Sequence, residues 1–215
     1  MKLLRETIRK LLLESTCGET NNKIYHAIQE LEHHNLKLEY DLYRFKHIVI
    51  KILDDNLQPI AEYVATKGGD SAECLQAFIT GHAEVEAPYK GNSGFGALMY
   101  DVAFEMAGKS GLTSDRVSVS DDAYRNWEYF KNSEDYEKKL LDTAGGHFTD
   151  PDIDDCTSNS WVPHMDNEPQ DAYTSQEWLY DYKEDFQASP LNTVYYKKDQ
   201  SQPTINCLKE RGLIE

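Results

Sequence analysis

Residues 91–96 read Gly-Asn-Ser-Gly-Phe-Gly and run directly into the apolar stretch ALMYDVAFEMA at 97–107. Three glycines in six positions before a helix-forming run constrain the fold strongly, because they suit a strand-to-helix turn. Glycine tolerates the left-handed backbone that such a turn demands, and its missing Cβ lets the main chain approach another group closely. That group is either a ligand held at the helix start or merely a neighbouring element, and the sequence allows both.

A ligand at this spot meets successive backbone N–H groups and the positive end of a helix, an arrangement suited to phosphate oxygens. A Walker-type phosphate loop requires Lys-Ser/Thr after its last glycine, whereas Gly96 is followed by Ala97 and Leu98. The dinucleotide fingerprint GxGxxG within a βαβ unit is also poorly met, since the spacing here is GxxGxG.

Periodicity supplies the surroundings. Leu4, Ile8, Leu11 and Leu12 fall at helical spacing in MKLLRETIRKLLLE, interleaved with Lys2, Arg5, Arg9 and Lys10. This predicts a basic amphipathic helix, suited to packing on its own domain or to docking on an acidic partner through residues 1–14. A second helical stripe, Ile24, Ala27, Ile28 and Leu31, runs through the stretch 22–40. His33 and His34 are adjacent and so face different sides of that helix, which makes them surface histidines rather than a metal clamp.

Alternation then replaces the helical period. Phe45, His47, Val49, Lys51 and Leu53 alternate with Lys46, Ile48, Ile50 and Ile52, and Asp54, Asp55 and Asn56 form a turn. The pattern predicts a hairpin whose second arm holds Ile60, Tyr63 and Val64, then a third strand in CLQAFITGHAEVEAPY, so that three consecutive strands feed the glycine turn. After a helix from about Ala97 to Gly108, LTSDRVSVS suits a short strand and DDAYRNWEYFKN a capped helix. From residue 143 onward Gly, Pro, Asp and Ser predict an irregular wrap anchored by Trp161, Trp178, Tyr195 and Tyr196. SPLNTVYYKK adds a late strand, and TINCLKERGLIE a short helix ending near Gly212.

An antiparallel meander, a GxG turn opening a helix with LMYDVAFEMA, a strand, and a helix carrying SDDAYRNWEYF together resemble the GNAT acetyltransferase core over residues 42–132. In that family the turn carries Q/R-x-x-G-x-G/A and binds the pyrophosphate of acetyl-CoA, and the second helix carries N-x-x-A-x-x-x-Y. Gly94, Gly96 and Ala123 match, while Gly91 stands at the Gln/Arg position, Ser120 at the Asn position and Trp127 at the Tyr position. The resemblance implies an α+β fold with a mixed, mostly antiparallel sheet flanked by helices, an N-terminal amphipathic helix and an irregular C-terminal wrap. It implies acetyl-CoA as cofactor, held by Gly91, Asn92, Ser93, Gly94, Phe95, Gly96 and Ser120.

Transfer to an amine requires a base on the strand before the turn. His82, Glu84 and Glu86 alternate along GHAEVEA and share one strand face, which makes Glu84 the first candidate, ahead of His82 and Glu86. A solvated polar face is the plainer reading of the same pattern.

A looser resemblance covers more of the chain. MKLLRETIRKLLLE, GFGALMYDVAFEMA, LTSDRVSVSDDAYRNWEYF, TDPDIDDC and PLNTVYYKK are similar to uncharacterised proteins of tailed bacteriophages, especially marine ones. This implies a virion component or a product acting in the host cytoplasm. A non-catalytic protein that docks through its N-terminal helix and acidic extension is the alternative to a transferase.

The remaining constellations are weaker. Asp150, Asp152, Asp154 and Asp155 suit a hard cation, but Asp155 stands where an EF-hand requires Gly and Trp161 where it requires Glu, so a solvated acidic loop is the reading and no metal site is assigned. Cys156 beside these carboxylates is a poor nucleophile, whether paired with His147 or His164. Arg116 suits either an anion or a structural ion pair.

Charge and composition narrow the rest. A net charge of -16 disfavours nucleic-acid binding, which needs clustered Lys and Arg. No apolar run reaches the roughly 18 residues of a membrane span, and no cleavable leader is expected. Cys17, Cys74, Cys156 and Cys207 are scattered without metal spacing, so reduced thiols are expected. The organisation predicted is an N-terminal helical segment (1–40), a GNAT-like core (41–135) and an acidic extension (136–215).

Overall fold

The computed structural model describes residue 17 and residues 22–67, 77–91, 93–115, 119–140 and 189–214. In chain order these form α1 (Asn22–His33), β1 (Lys37–Tyr43), β2 (His47–Leu53), β3 (Pro59–Lys67), β4 (Phe78–Val85), α2 (Phe95–Ala107), β5 (Leu112–Thr113), α3 (Asp121–Asn132), β6 (Tyr136–Leu140), β7 (Thr193–Lys197) and α4 (Pro203–Glu210). Single 3₁₀ turns occupy Gly108–Ser110 and Pro190–Asn192. The seven strands hydrogen-bond in the order β1-β2-β3-β4-β5-β7-β6. Antiparallel β1–β2, β5–β7 and β6–β7 pairs combine with a parallel β4–β5 pair, so the fold is α+β with a mixed sheet. Contacts divide the chain into two units that are not contiguous in sequence, and neither coincides with the segments 1–40, 41–135 or 136–215.

The first unit comprises Met1–Ala65, His82–Gly108 and Asp199–Glu215. Ile24, Ala27, Ile28 and Leu31 are the buried stripe of α1, as their spacing predicts. The helix stops at His33 instead of continuing to residue 40, because Asn35 takes a left-handed φ of 52° and the N–H of Leu36 turns back to the Leu31 carbonyl at 2.8 Å. The freed residues KLEYDLY become β1, in full register with β2 from Lys37↔Leu53 to Tyr43↔His47. Four strands, not three, therefore precede the glycine turn. Phe45, expected within a strand, lies in the β1–β2 turn, while Ile48, Ile50 and Ile52 form the buried face of β2.

Helix α2 is mostly apolar and buried on nearly every side, with Leu98, Met99, Val102, Ala103 and Phe104 all in the core. Each large side chain so covered contributes about 1.5–3 kcal/mol. The Tyr63 and Tyr100 rings meet edge-on at 5.1 Å. Two carboxylates on this helix, Asp101 and Glu105, are nevertheless buried. Glu105 accepts from the backbone N–H groups of Thr204 (3.0 Å) and Ile205 (2.9 Å), and Asp101 accepts from the Thr204 hydroxyl at 2.6 Å. Glu105 thereby satisfies the backbone donors of the first turn of α4, where Pro203 has no N–H of its own, and Asp101 holds the Thr204 side chain.

A disulfide joins Cys17 to Cys207 across 190 residues, with both sulfurs buried. The expectation of reduced thiols therefore fails for this pair, whose separation in sequence conceals a Cα–Cα distance of 5.2 Å. Arg211 seals the same corner by donating to Glu32 at 2.8 Å and to the Tyr25 hydroxyl at 3.3 Å. Leu213 then accepts from the Leu38 N–H at 2.7 Å, and Ile214 bridges to β1.

The second unit comprises Thr66–Gly81 and Lys109–Lys198. Trp127 and Phe130 of α3 are buried against Tyr195 of β7 and Tyr136 of β6, with Trp127–Tyr195 and Trp127–Phe130 ring centroids both 5.5 Å apart. Tyr195 thus anchors as predicted, from the late strand expected in SPLNTVYYKK, which pairs on both sides, with Leu112 of β5 opposite it on one and Lys138 of β6 on the other. Strand β6 falls in a stretch given no element by its sequence. Gly111 (φ 70°) packs so tightly that a Cβ would lie 2.7 Å from the Tyr195 carbonyl. The predicted helix at 1–14, Arg116, the acidic run 150–155, Cys74, Cys156, Trp161 and Trp178 lie outside the described residues.

Candidate functional site

The glycine turn lies in the first unit, between β4 and α2. The chain leaves β4 through a hydrogen bond from the Glu86 N–H to the Ile60 carbonyl (2.9 Å), passes a cis Ala87–Pro88 bond, and closes Tyr89 back on the Glu86 carbonyl at 2.9 Å. Gly91 (φ 95°) and Gly94 (φ 73°) both take the left-handed backbone that their residue type permits.

The turn consumes part of its own hydrogen-bonding capacity. Ser93, buried, donates its hydroxyl to the Tyr89 carbonyl at 2.8 Å and accepts the Phe95 N–H at 3.3 Å. Phe95 is itself core, its ring 5.8 Å from that of Tyr89. Gly94 faces α1, where a Cβ would meet that of Ala27 at 3.2 Å, and its carbonyl accepts the Leu98 N–H at 3.0 Å. Ser93, Gly94 and Phe95 therefore serve the turn and its packing.

Gly96 differs. It is half-buried in the first turn of α2, and a Cβ built on it would meet none of the described residues within 4 Å. A helix start leaves the N–H groups of its second and third residues, here Gly96 and Ala97, without an acceptor inside the helix. Gly96 and Ala97 thus place two adjacent donors at the positive end of a helix, and at Gly96 the Cβ position is clear of the other described residues. Ala97 was missed by motif matching, which stops at the last glycine. Gly91 is exposed, also with no described residue within 4 Å of a built Cβ, and Asn92 lies outside the described residues.

The candidate bases stand on the outgoing half of β4. His82 and Glu84 share a face, with His82 Nε2 3.7 Å from Glu84 Oε2, and both side chains are exposed to water. Glu86 falls past the strand end at Val85, so it does not extend that row. A second imidazole–carboxylate pair flanks the turn. His34 Nε2 lies 3.5 Å from Glu30 Oε2, and its ring meets Tyr89 edge-on at 5.4 Å. Both histidines at 33 and 34 are exposed, as read from their spacing, but the contact with Tyr89 was not legible from it.

Ser120 belongs to the other unit, where its hydroxyl caps α3 by accepting the Ala123 N–H at 3.3 Å. Trp127, at the family's tyrosine position, is core. On the same helix Tyr124 has its phenol raised by burial and then by the charge of Glu128, and burial holds Lys131 below the usual lysine range. Among the described residues no group of three or more His, Cys, Asp or Glu side chains is placed to hold a metal ion, and no helix is long and apolar enough to cross a membrane. No family model, curated protein or solved structure matches the chain.

Proposed function

We propose that the chain is an acyl-CoA-dependent N-acetyltransferase of the GNAT kind, acting in a tailed-phage context, in the virion or the host cytoplasm. The observation that carries the reading is the first turn of α2 at Gly96 and Ala97, clear of the other described residues at the Gly96 Cβ position and reached through the glycine turn from the strand bearing His82 and Glu84. Acetyl-CoA is the cofactor proposed there. Its pyrophosphate oxygens accept from the Gly96 and Ala97 N–H groups. Glu84, or His82 beside it, takes a proton from the acceptor amine, whose nitrogen then attacks the thioester carbonyl. The carbon–sulfur bond breaks, and the coenzyme leaves as a thiol once protonated.

The direct assay incubates the protein with acetyl-CoA and a panel of polyamines and lysine peptides, and follows thiol release. Release above the hydrolytic background that falls at least about tenfold in Glu84→Gln supports this account, since removing a general base costs about 10²–10⁴-fold. Thiol release equal in parent and in Glu84→Gln/His82→Gln contradicts the assignment of these residues.

A second reading is favoured by Ser120 and Trp127, which occupy the family's motif positions but serve as a helix cap and as core. On that reading the chain keeps the fold without the chemistry and docks on other phage or host proteins through residues 1–14 and its acidic extension.

A further inference from the structure

The β1–β2 hairpin ends in Tyr43-Arg44-Phe45-Lys46, a turn closed by the Lys46 N–H on the Tyr43 carbonyl at 3.0 Å. Its two central residues, Arg44 and Phe45, both take left-handed backbone, with φ of 51° and 57°. Asn and Gly are the usual occupants of such positions, because a bulky side chain there crowds its own carbonyl. Phe45 is 77% exposed and Tyr43 49%, which makes them two of the four large hydrophobic side chains exposed among the described residues. The Arg44 guanidinium lies over the Tyr43 ring, 4.9 Å from its centroid. A chain of net charge -16 therefore presents, at one tip, two exposed aromatics and two adjacent cations on an unfavourable backbone.

We propose that this tip docks a partner protein through a segment that sets carboxylates around an apolar socket. Phe45 fills the socket, and Arg44 and Lys46 meet the carboxylates. Aromatic and Arg side chains dominate the energetics of protein interfaces, and a single well-seated one accounts for much of the affinity. Charge decides between classes of partner. A nucleic acid or an anionic lipid surface is held by many phosphate contacts, whereas the tip offers two cations on an otherwise acidic chain. A peptide with a few carboxylates needs complementarity only within about one Debye length, about 8–10 Å in ordinary salt.

The test uses the full chain and a random peptide display library, followed by titration of one enriched peptide against the parent, Phe45→Ser and Arg44→Asn/Phe45→Gly. The double variant installs the residues this turn prefers, so it folds with an unchanged or higher Tm and separates binding from stability. The expected result is enrichment of peptides combining Asp or Glu with Leu, Phe or Trp, and affinity at least about thirtyfold weaker for both variants, the loss typical of a hot-spot residue. Enriched peptides without carboxylates, or affinity unchanged in the variants, overturn the proposal. So does tip-dependent binding to phosphatidylserine vesicles, which assigns the tip to a membrane surface, or a dimer that Phe45→Ser dissolves, which assigns it to a second copy of the chain.

Discussion

Gly94 rests against Ala27 so closely that a Cβ on it would stand 3.2 Å from the alanine Cβ. The contact fixes the start of α2 on α1 and gives Gly94 a packing reason for being glycine. Two positions on, Gly96 has no such neighbour among the described residues. Gly94→Ala is expected to cost about 1–3 kcal/mol, from left-handed strain and crowding together. Gly96→Ala, with helical backbone and open space, is expected to be neutral or stabilising by up to about 1 kcal/mol. Urea unfolding of both variants checks the contrast.

Glu105 supplies both oxygens to the start of α4. Glu105→Ala leaves two buried N–H groups without their acceptor and should destabilise by about 2–4 kcal/mol. Glu105→Gln keeps the shape and one acceptor oxygen, so its loss should be smaller. Thermal melts of the two variants beside the parent give the order.

The disulfide closes a span of 190 residues. In the chain-entropy description a loop of that length is worth about 5 kcal/mol, with about 2–5 usual for native disulfides. Cys17→Ser and Cys207→Ser should each lose this amount, and the double variant no more than either. Non-reducing peptide mapping should recover Cys17 and Cys207 in one cross-linked species.

Burial raises the Tyr195 phenol well above the usual tyrosine range, and its hydroxyl donates to the Pro190 carbonyl at 2.8 Å. The folded state therefore binds this proton more tightly than the unfolded chain does. Its contribution is complete below the ordinary tyrosine pKa of about 10 and is lost as pH rises beyond it. Tyr195→Phe should lose about 0.5–1.5 kcal/mol at neutral pH and show a shallower alkaline decline. Gly111→Ala, which drives a Cβ towards the Tyr195 carbonyl, should cost about 3–5 kcal/mol.

Much of the architecture was legible because burial follows period. The stripe of α1, the isoleucine face of β2 and the apolar run of α2 all lie where spacing put them. Strand β1 was hidden because the helical stripe ending at Leu31 is followed seven residues later by Leu38, as a continuing helix would place it, and only the left-handed Asn35 ends it. Strand β6 was hidden because YEKKL has little apolar alternation and acquires its conformation by pairing with β7, about 57 residues away in sequence. At the turn, composition located the glycines but could not divide Gly94, which packs, from Gly96, which is open. That division depends on α1, an element some 60 residues earlier. The disulfide was illegible for the same reason, since spacing carries no information about which distant cysteines meet.

The measurement closest to the central claim is calorimetric titration of acetyl-CoA into the parent protein and into Gly96→Asp at low salt. Aspartate near a helix start favours the helix, so the variant keeps its fold while placing charge where the pyrophosphate would sit. Micromolar binding by the parent, with none by the equally folded variant, is the predicted result. No binding by the folded parent, or equal binding by both, contradicts the assignment of Gly96 and Ala97 as the acyl-CoA site.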